Sequence, residues 1–332
     1  MDFLTNNFIT DFFIICMKGV NAIIPNYAVS IVVLTILIRL AILPLDLKQR
    51  RNQAKMTALG PEIQSLQKRY ANNPQKLQFK QKELYRKVGY RPMMGCLPML
   101  IQLPILFAFF GAMRALASEQ TVGLILDAAQ FGVDQVQLPS FFWVHNFWQP
   151  DSGFANILPN ATEFMSFLTT NSKMISPETM SMLKSFGLLE YADGGLHVTQ
   201  VYENIAAGII DNEGLTGFRN GWFILPVLSG AAMFLQQKFN PQGQNAAANP
   251  MMPAMQPQAD TPEAQQAQGC SSKVMLWVMP IFSIYICTQP TSNAAFALYW
   301  FTSSMYAFAQ MRVINWANKR KSKKNEIIVT NE

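Results

Sequence analysis

The chain has 332 residues, half of them hydrophobic and 14% charged, with 26 Lys and Arg against 20 Asp and Glu for a net charge of +6. Its apolar residues come in blocks, not in alternation, which excludes one large soluble core and indicates an integral membrane protein. Four cysteines without a CxxC pair and two histidines without a partner at helical spacing give no metal, cofactor or catalytic site to expect.

Residues 1–24 are read as an amphipathic helix in the membrane interface, because Phe3, Leu4, Phe8, Ile9, Phe12, Phe13 and Met17 recur at near-helical spacing. They do not read as a standard signal peptide, since Asp2 and Asp11 sit where Lys or Arg belongs. The first span is placed at 25–45, within NYAVSIVVLTILIRLAILPLD, a stretch long enough to cross a bilayer as a helix. It carries one full charge in its interior, Arg39. Such a charge costs roughly 2.5–3.5 kcal/mol on insertion scales, so it should face protein, water or a counter-charge. Thr35 lies one turn earlier on the same face, and this face is expected to line a polar cavity. The competing reading is that Arg39 snorkels to the near interface.

Residues 46–92 are rich in Lys and Arg, from Lys48 to Arg91. Met56, Leu59, Ile63, Leu66 and Tyr70 form a heptad-like seam, Asn72, Asn73 and Pro74 form a turn, and Leu77, Leu84 and Val88 form a second stripe. This predicts an antiparallel helical hairpin, cytoplasmic by its charge, whose basic faces meet anionic lipid headgroups or RNA. A second span at 93–117 holds Pro98, Gln102 and Pro104; a buried Gln serves as a helix–helix hydrogen-bonding group or as a substrate contact. Residues 118–220 are acidic and belong on the other side of the membrane. Their aromatic run LPSFFWVHNFWQPD is expected at headgroup level, and residues 153–220 are expected to be short helices, one starting at Ser176, Pro177 and Glu178.

A third span at 221–239 has small residues at Ser229, Gly230, Ala231 and Ala232 and ends in Gln236, Gln237 and Lys238. A flexible cytoplasmic loop, 240–272, precedes spans four (273–290) and five (293–314), which are joined by a tight external turn. In the fifth, helical spacing sets Tyr299 over Ser303 and Trp300 over Ser304. A basic tail, 315–332, closes the chain. The expected fold is an all-α membrane protein of five transmembrane helices with a cytoplasmic hairpin, N-terminus outside and C-terminus inside.

Five stretches carry a resemblance: LTILIRLAILPL before the basic hairpin, QAKMTALGPEIQSLQKRY in its first arm, GCLPMLIQLPILFAFF, LPSFFWVHNFWQPD, and LPVLSGAAMFLQQK through ALYWFTSSMYAFAQ. In this order they resemble the YidC/Oxa/Alb membrane protein insertase family, in its bacterial five-span form, with the insertion at about 153–220 as a departure. The resemblance implies a hydrophilic groove open to the cytoplasm and to lipid and closed externally. The family's groove Arg matches Arg39, its polar positions match Thr35, Gln102 and Gln236 or Gln237, and its aromatic position on the last span matches Trp300, beside Tyr299; helical spacing adds Ser303. It further implies nascent membrane proteins as substrates, with the ribosome, the Sec translocon and anionic lipids as partners, in the bacterial plasma membrane. The alternative is a secondary transporter or channel with a mid-membrane Arg site, which would normally show internal repeats, and none is evident. An intramembrane enzyme would need a nucleophile with a base, and Ser303 and Ser304 have no membrane His or Asp. A scaffold that assembles other membrane proteins is the remaining class.

Overall fold

The computed structural model describes residues 7–90, 93–170, 175–239 and 276–329, with the side chains at 53, 56, 57, 93–102, 170, 318, 319 and 321–329 outside that description. The expected flexible loop 240–272, the first six residues and most of the basic tail's side chains therefore lie outside the described residues. In chain order the helices are α1 (Phe8–Ile23), α2 (Tyr27–Arg69), α3 (Pro74–Val88), α4 (Met93–Phe131), α5 (Ala161–Thr170), α6 (Pro177–Ser185), α7 (Gln200–Asn212), α8 (Ile224–Lys238), α9 (Leu276–Cys287) and α10 (Ala294–Val329). Strands β1 (Leu189–Ala192) and β2 (Gly195–Val198) lie between α6 and α7. The chain divides into two compact units, one of Met1–Thr35, Pro104–Ser229 and Ser283–Thr302, the other of Ile36–Leu103, Gly230–Phe282 and Ser303–Glu332.

In the first unit, the Asn7 side chain caps α1 by accepting from the amides of Ile9 and Thr10. Phe13 meets Phe109 of α4 edge-on at 5.5 Å, Met17 is fully buried, and Lys18 pairs with Glu119 at 2.8 Å. The helix expected at the N-terminus is present. Phe8, Phe12 and Ile15 stay exposed on it, so it is apolar on more than its packed side.

The helix that carries the expected second span, α4, runs on past residue 117 to Phe131. Ser118, Glu119 and Gln120 read as an exit from the membrane, but a helix can leave an apolar phase without ending. Its continuation buries Val122, Ile125, Leu126 and Ala128 against Phe164 and Leu168 of α5, Leu183 of α6, and Tyr202, Ala206 and Ile209 of α7. The acidic insertion thus has its own apolar core, built on the last turns of α4. Within it α6 starts as predicted, with the Ser176 hydroxyl accepting from the Thr179 amide at 3.1 Å and Pro177 in the first turn.

The structure is mostly helical, and the segment expected to hold only short helices also holds one small hairpin. β1 and β2 pair antiparallel, with Leu189 opposite Val198 and Ala192 opposite Gly195. The connection is Asp193–Gly194, at φ 48° and 77°. Two successive positive φ values are what a tight hairpin turn with the right twist requires, and Asp-Gly supplies them at low cost.

In the second unit, α2 continues through Pro44 and Pro61 into the basic arm, so no break separates span from hairpin at residue 46. Asn73 caps α3 by accepting from the Lys76 amide at 3.0 Å, and Gly89, at φ 63°, ends it in the left-handed conformation. The seam is tighter than the pattern suggests: Leu59 and Ile63 bury with Tyr85 and Tyr90, Leu84 packs against them, and Val88 is exposed. The Lys55 ammonium donates to the carbonyls of Val88 and Gly89, closing the hairpin at the C-terminus of α3.

Among the described residues, Tyr27–Asn52 is the one stretch long and apolar enough to cross a bilayer, and Leu276–Cys287 is a shorter apolar helix. The other expected spans look different for physical reasons. The α8 helix has 15 residues. The apolar run of α4 begins at residues 93–102, whose side chains lie outside the description, and Ser303, Ser304 and Gln310 dilute the apolar character of α10.

Candidate functional site

Arg39 lies well inside the apolar stretch of α2, and its guanidinium does not point away from protein. It is half-buried, its Nε donates to the Ser303 hydroxyl at 3.1 Å, and its Nη2 donates to the same oxygen. Ser303, on α10, is itself buried. A neutral oxygen that accepts twice from one guanidinium fixes its direction and leaves the positive charge uncompensated by that contact.

The contact sets a register. The offset of 264 residues between Arg39 and Ser303 also separates Asp46 from Gln310. Both steps are seven residues, two helical turns or about 10.5 Å along each axis. The two helices therefore run parallel over this distance, and the second level matches the first: Asp46 interacts with the Gln310 amide and, electrostatically, with Arg39 and Arg50. The Gln310 Nε2 is buried without meeting hydrogen-bond geometry to any described residue. Asp46 and Gln310 join the Arg39–Ser303 pair as polar neighbours that the sequence does not single out. The available signal was the identical spacing of two polar pairs on two apolar helices.

The remaining candidates are placed as follows. Gln236 and Gln237 are half-buried near the end of α8, in the same unit as Arg39, and neither hydrogen-bonds to Arg39 or Ser303. That end of α8 packs Phe234 on Trp277 at 4.8 Å and is followed by Phe239 against Phe308 of α10 at 5.7 Å. The Gln102 side chain lies outside the described residues. Thr35, Tyr299 and Trp300 belong to the first unit. The Thr35 hydroxyl is buried and donates to the Ile31 carbonyl of its own helix at 2.6 Å. Tyr299 is 4% exposed and stacks on Phe109 at 4.0 Å, and Trp300 meets Phe296 edge-on at 5.4 Å.

A second polar centre, in the first unit, positions the start of α8. Asp151 is fully buried. Its Oδ1 accepts from the amides of Trp222 (2.8 Å) and Phe223 (3.1 Å), and its Oδ2 accepts from the Leu225 amide (2.7 Å) and the Trp143 indole (3.0 Å). A carboxylate at a helix N-terminus satisfies amides that have no partner within the helix and sits at the positive end of its dipole. Gly221 is required beside it, because a Cβ there would fall 2.1 Å from Asp151 Oδ1. Asn146 and Asn220 lock the neighbouring loops together, Asn220 donating to the carbonyls of Asn146 and Pro150 at 2.9 Å each. Asn293 caps α10 by accepting from the Phe296 amide at 2.9 Å and donates to the Met113 carbonyl of α4 at 3.1 Å. The Ser229 hydroxyl of α8 reaches the Ala297 carbonyl of α10 at 2.9 Å.

The chain is similar to known proteins over much of its length. The family model described as 60Kd inner membrane protein matches residues 19–192. A protein named membrane protein insertase YidC from Clostridium perfringens (strain 13 / Type A) is 41% identical over 144 residues, 43% of this chain and 53% of that protein. Its namesake from Clostridium tetani (strain Massachusetts / E88) is 36% identical over 172 residues, 51% of this chain and 70% of that protein. Membrane protein insertase MisCA of Bacillus subtilis (strain 168) is 28% identical over 302 residues, 90% of this chain and 73% of that protein. The chain thus spans about half the length of the first of these relatives and about seven tenths of the other two.

Proposed function

Because the chain belongs to the 60Kd inner membrane protein family, we propose that it is a membrane protein insertase of the bacterial cell membrane. It moves short polar external segments of nascent membrane proteins across the bilayer and releases their spans into lipid. The observation that carries this reading is Arg39: a full charge inside the apolar stretch Tyr27–Asn52, held by two hydrogen bonds from one guanidinium to a buried hydroxyl. The charge is oriented but not neutralised by that contact, which suits it to attract acidic residues of a passing segment.

The mechanism has a simple physical form. The segment enters a hydrophilic groove from the cytoplasm, with Arg39 and Ser303 on its wall and Gln236 and Gln237 of the same unit as further polar positions. Hydration inside the groove divides the desolvation cost into steps, each smaller than a single crossing of hydrocarbon. The substrate's apolar stretch slides along α2 and α10 into lipid, and its burial at ~25 cal/mol per Å² drives release. No nucleotide and no covalent step enters the scheme. The basic hairpin of α2 and α3 receives the substrate on the cytoplasmic side, the basic tail docks on ribosomal RNA, and the acidic insertion lies outside. Five spans satisfy this topology, on α2, α4, α8, α9 and α10. Phe142 and Phe154, 84% and 86% exposed, and Trp222 near the start of α8 support placing the external loops at the headgroups.

The test is insertion of a single-span substrate with an acidic external tail in cells whose only insertase of this family is the Arg39→Ala variant. Insertion should fall severalfold while the protein remains at normal abundance, and a tail with its acids replaced by Asn should lose much less. Equal insertion of the acidic tail by variant and parent would overturn the reading.

A further inference from the structure

Among the described residues Asp46 is the acid that shares the Arg39–Ser303 register, and the proposed mechanism does not use it. It stands two turns beyond Arg39 on the same side of α2 and one turn before Arg50, with its acid N-terminal to the base as favours such a pair on a helix. Across from it, the parallel α10 presents the buried Gln310 amide, two turns beyond Ser303. The result is a short ladder of charge: a cation bonded to a hydroxyl at one level, an anion beside an amide at the next, and a second cation one turn further.

The anion has a consequence for the cation. Arg39 is hydrogen-bonded by a neutral group, so its charge is balanced mainly through space, and Asp46 acts on it through space. Any acidic residue that approaches Arg39 meets attraction from the guanidinium and repulsion from Asp46, two turns or about 10 Å further along the helix axis, a spacing over which charges still interact where water is scarce. We propose that Asp46 is a resident counter-charge that competes with acidic substrate segments for Arg39, and so sets how tightly they are held and how readily they leave. This rests on the reading of Arg39 as the substrate-attracting charge. A groove with Arg39 alone would retain the acidic segments it attracts. With Asp46 in place, the attraction is enough to draw a segment in and weak enough to let it pass. Gln310, whose amide can follow either charge state of its neighbour, positions the carboxylate.

The experiment uses the full-length protein in nanodiscs and two fluorescent single-span peptides, one with three Asp residues in its external tail and one with Asn at those places, with binding read by anisotropy. Asp46→Asn should tighten binding of the acidic peptide by about 3- to 10-fold, the size expected for one charge at this separation in a partly hydrated site, and leave the Asn peptide within twofold. Gln310→Glu, which adds an anion at the same level, should weaken binding of the acidic peptide by a similar factor; it decides the matter alone if Asp46→Asn does not fold. Unchanged binding of the acidic peptide, or an equal change for both peptides, overturns the counter-charge. Arg39→Ala separates the two levels of the argument. If it abolishes the parent's preference for the acidic peptide while Asp46→Asn and Gln310→Glu do nothing, only the counter-charge fails. If the preference survives Arg39→Ala, the reading of Arg39 fails with it.

Discussion

Replacing Asp151 by Ala should be among the most destabilising single changes outside the apolar core. The carboxylate is fully buried and accepts from three backbone amides at the start of α8 and from the Trp143 indole, at 2.7 to 3.1 Å. Hydrogen bonds to a charged group contribute about 1.5–3 kcal/mol each, and orphaned buried donors cost about 1–3 kcal/mol each, but such terms are not additive. Allowing water to reach some of the amides, the net loss should be about 3–5 kcal/mol. For a chain of this size that corresponds to a fall in melting temperature on the order of 5–10 °C. Asp151→Asn should fall between, because one oxygen still serves Trp222 and Phe223 while the new NH2 group faces the donors of Leu225 and Trp143. Thermal unfolding of the purified protein in nanodiscs, followed by Trp fluorescence, measures both. Amide hydrogen exchange should show the loss first at residues 222–225. A shift below 2 °C for Asp151→Ala, with unchanged exchange there, would refute the view that this carboxylate holds the start of α8.

Three further outcomes follow from the same geometry. Gly221→Ala places a Cβ 2.1 Å from Asp151 Oδ1 and 3.2 Å from its Cα, so it should cost about 1–3 kcal/mol in the same unfolding measurement. Ser303→Ala removes the acceptor of both Arg39 hydrogen bonds; insertion of an acidic-tailed substrate should drop severalfold, less than with Arg39→Ala, and the double variant should be no worse than Arg39→Ala alone. In the hairpin, burial pushes the Tyr85 phenol up to about 12. The folded state therefore keeps its proton where the unfolded chain has lost it, so the stability associated with the neutral phenol is present below pH 10 and declines as the pH rises from about 10 to about 12. Absorbance titration at 295 nm should show one tyrosine with a midpoint near 12 that disappears in Tyr85→Phe.

What could be read from the chain alone followed the reach of each interaction. Arg39 stood out because a lone charge in an apolar run needs no tertiary knowledge to look costly. Ser176 was legible as a cap because its partner is three residues away. The Asp193–Gly194 turn was equally local, and the hairpin was overlooked because its strands are only four residues each, within a segment dominated by helical patterns. The extension of α4 could not be read, since the polar run Ser118–Gln120 breaks its apolar pattern and the core that buries Val122 to Ala128 is built from residues about 30 to 90 positions further on. Asp46 did not stand out at the edge of the basic stretch because its meaning comes from α10, more than 250 residues on, and the register that joins them is tertiary. Tyr299 was placed beside Trp300 at the aromatic position of the last span, and its stacking on Phe109 depends on a helix far away in sequence.

The proposed function requires that polar segments cross a bilayer with the help of the Arg39 charge. Reconstitution tests it most directly: purified protein in liposomes, a single-span substrate with an acidic tail, and protease protection as the readout. A protected fragment should appear with the parent protein, be absent from empty liposomes, and be reduced severalfold with Arg39→Ala. The same yield of protected fragment from parent, variant and empty liposomes would contradict it.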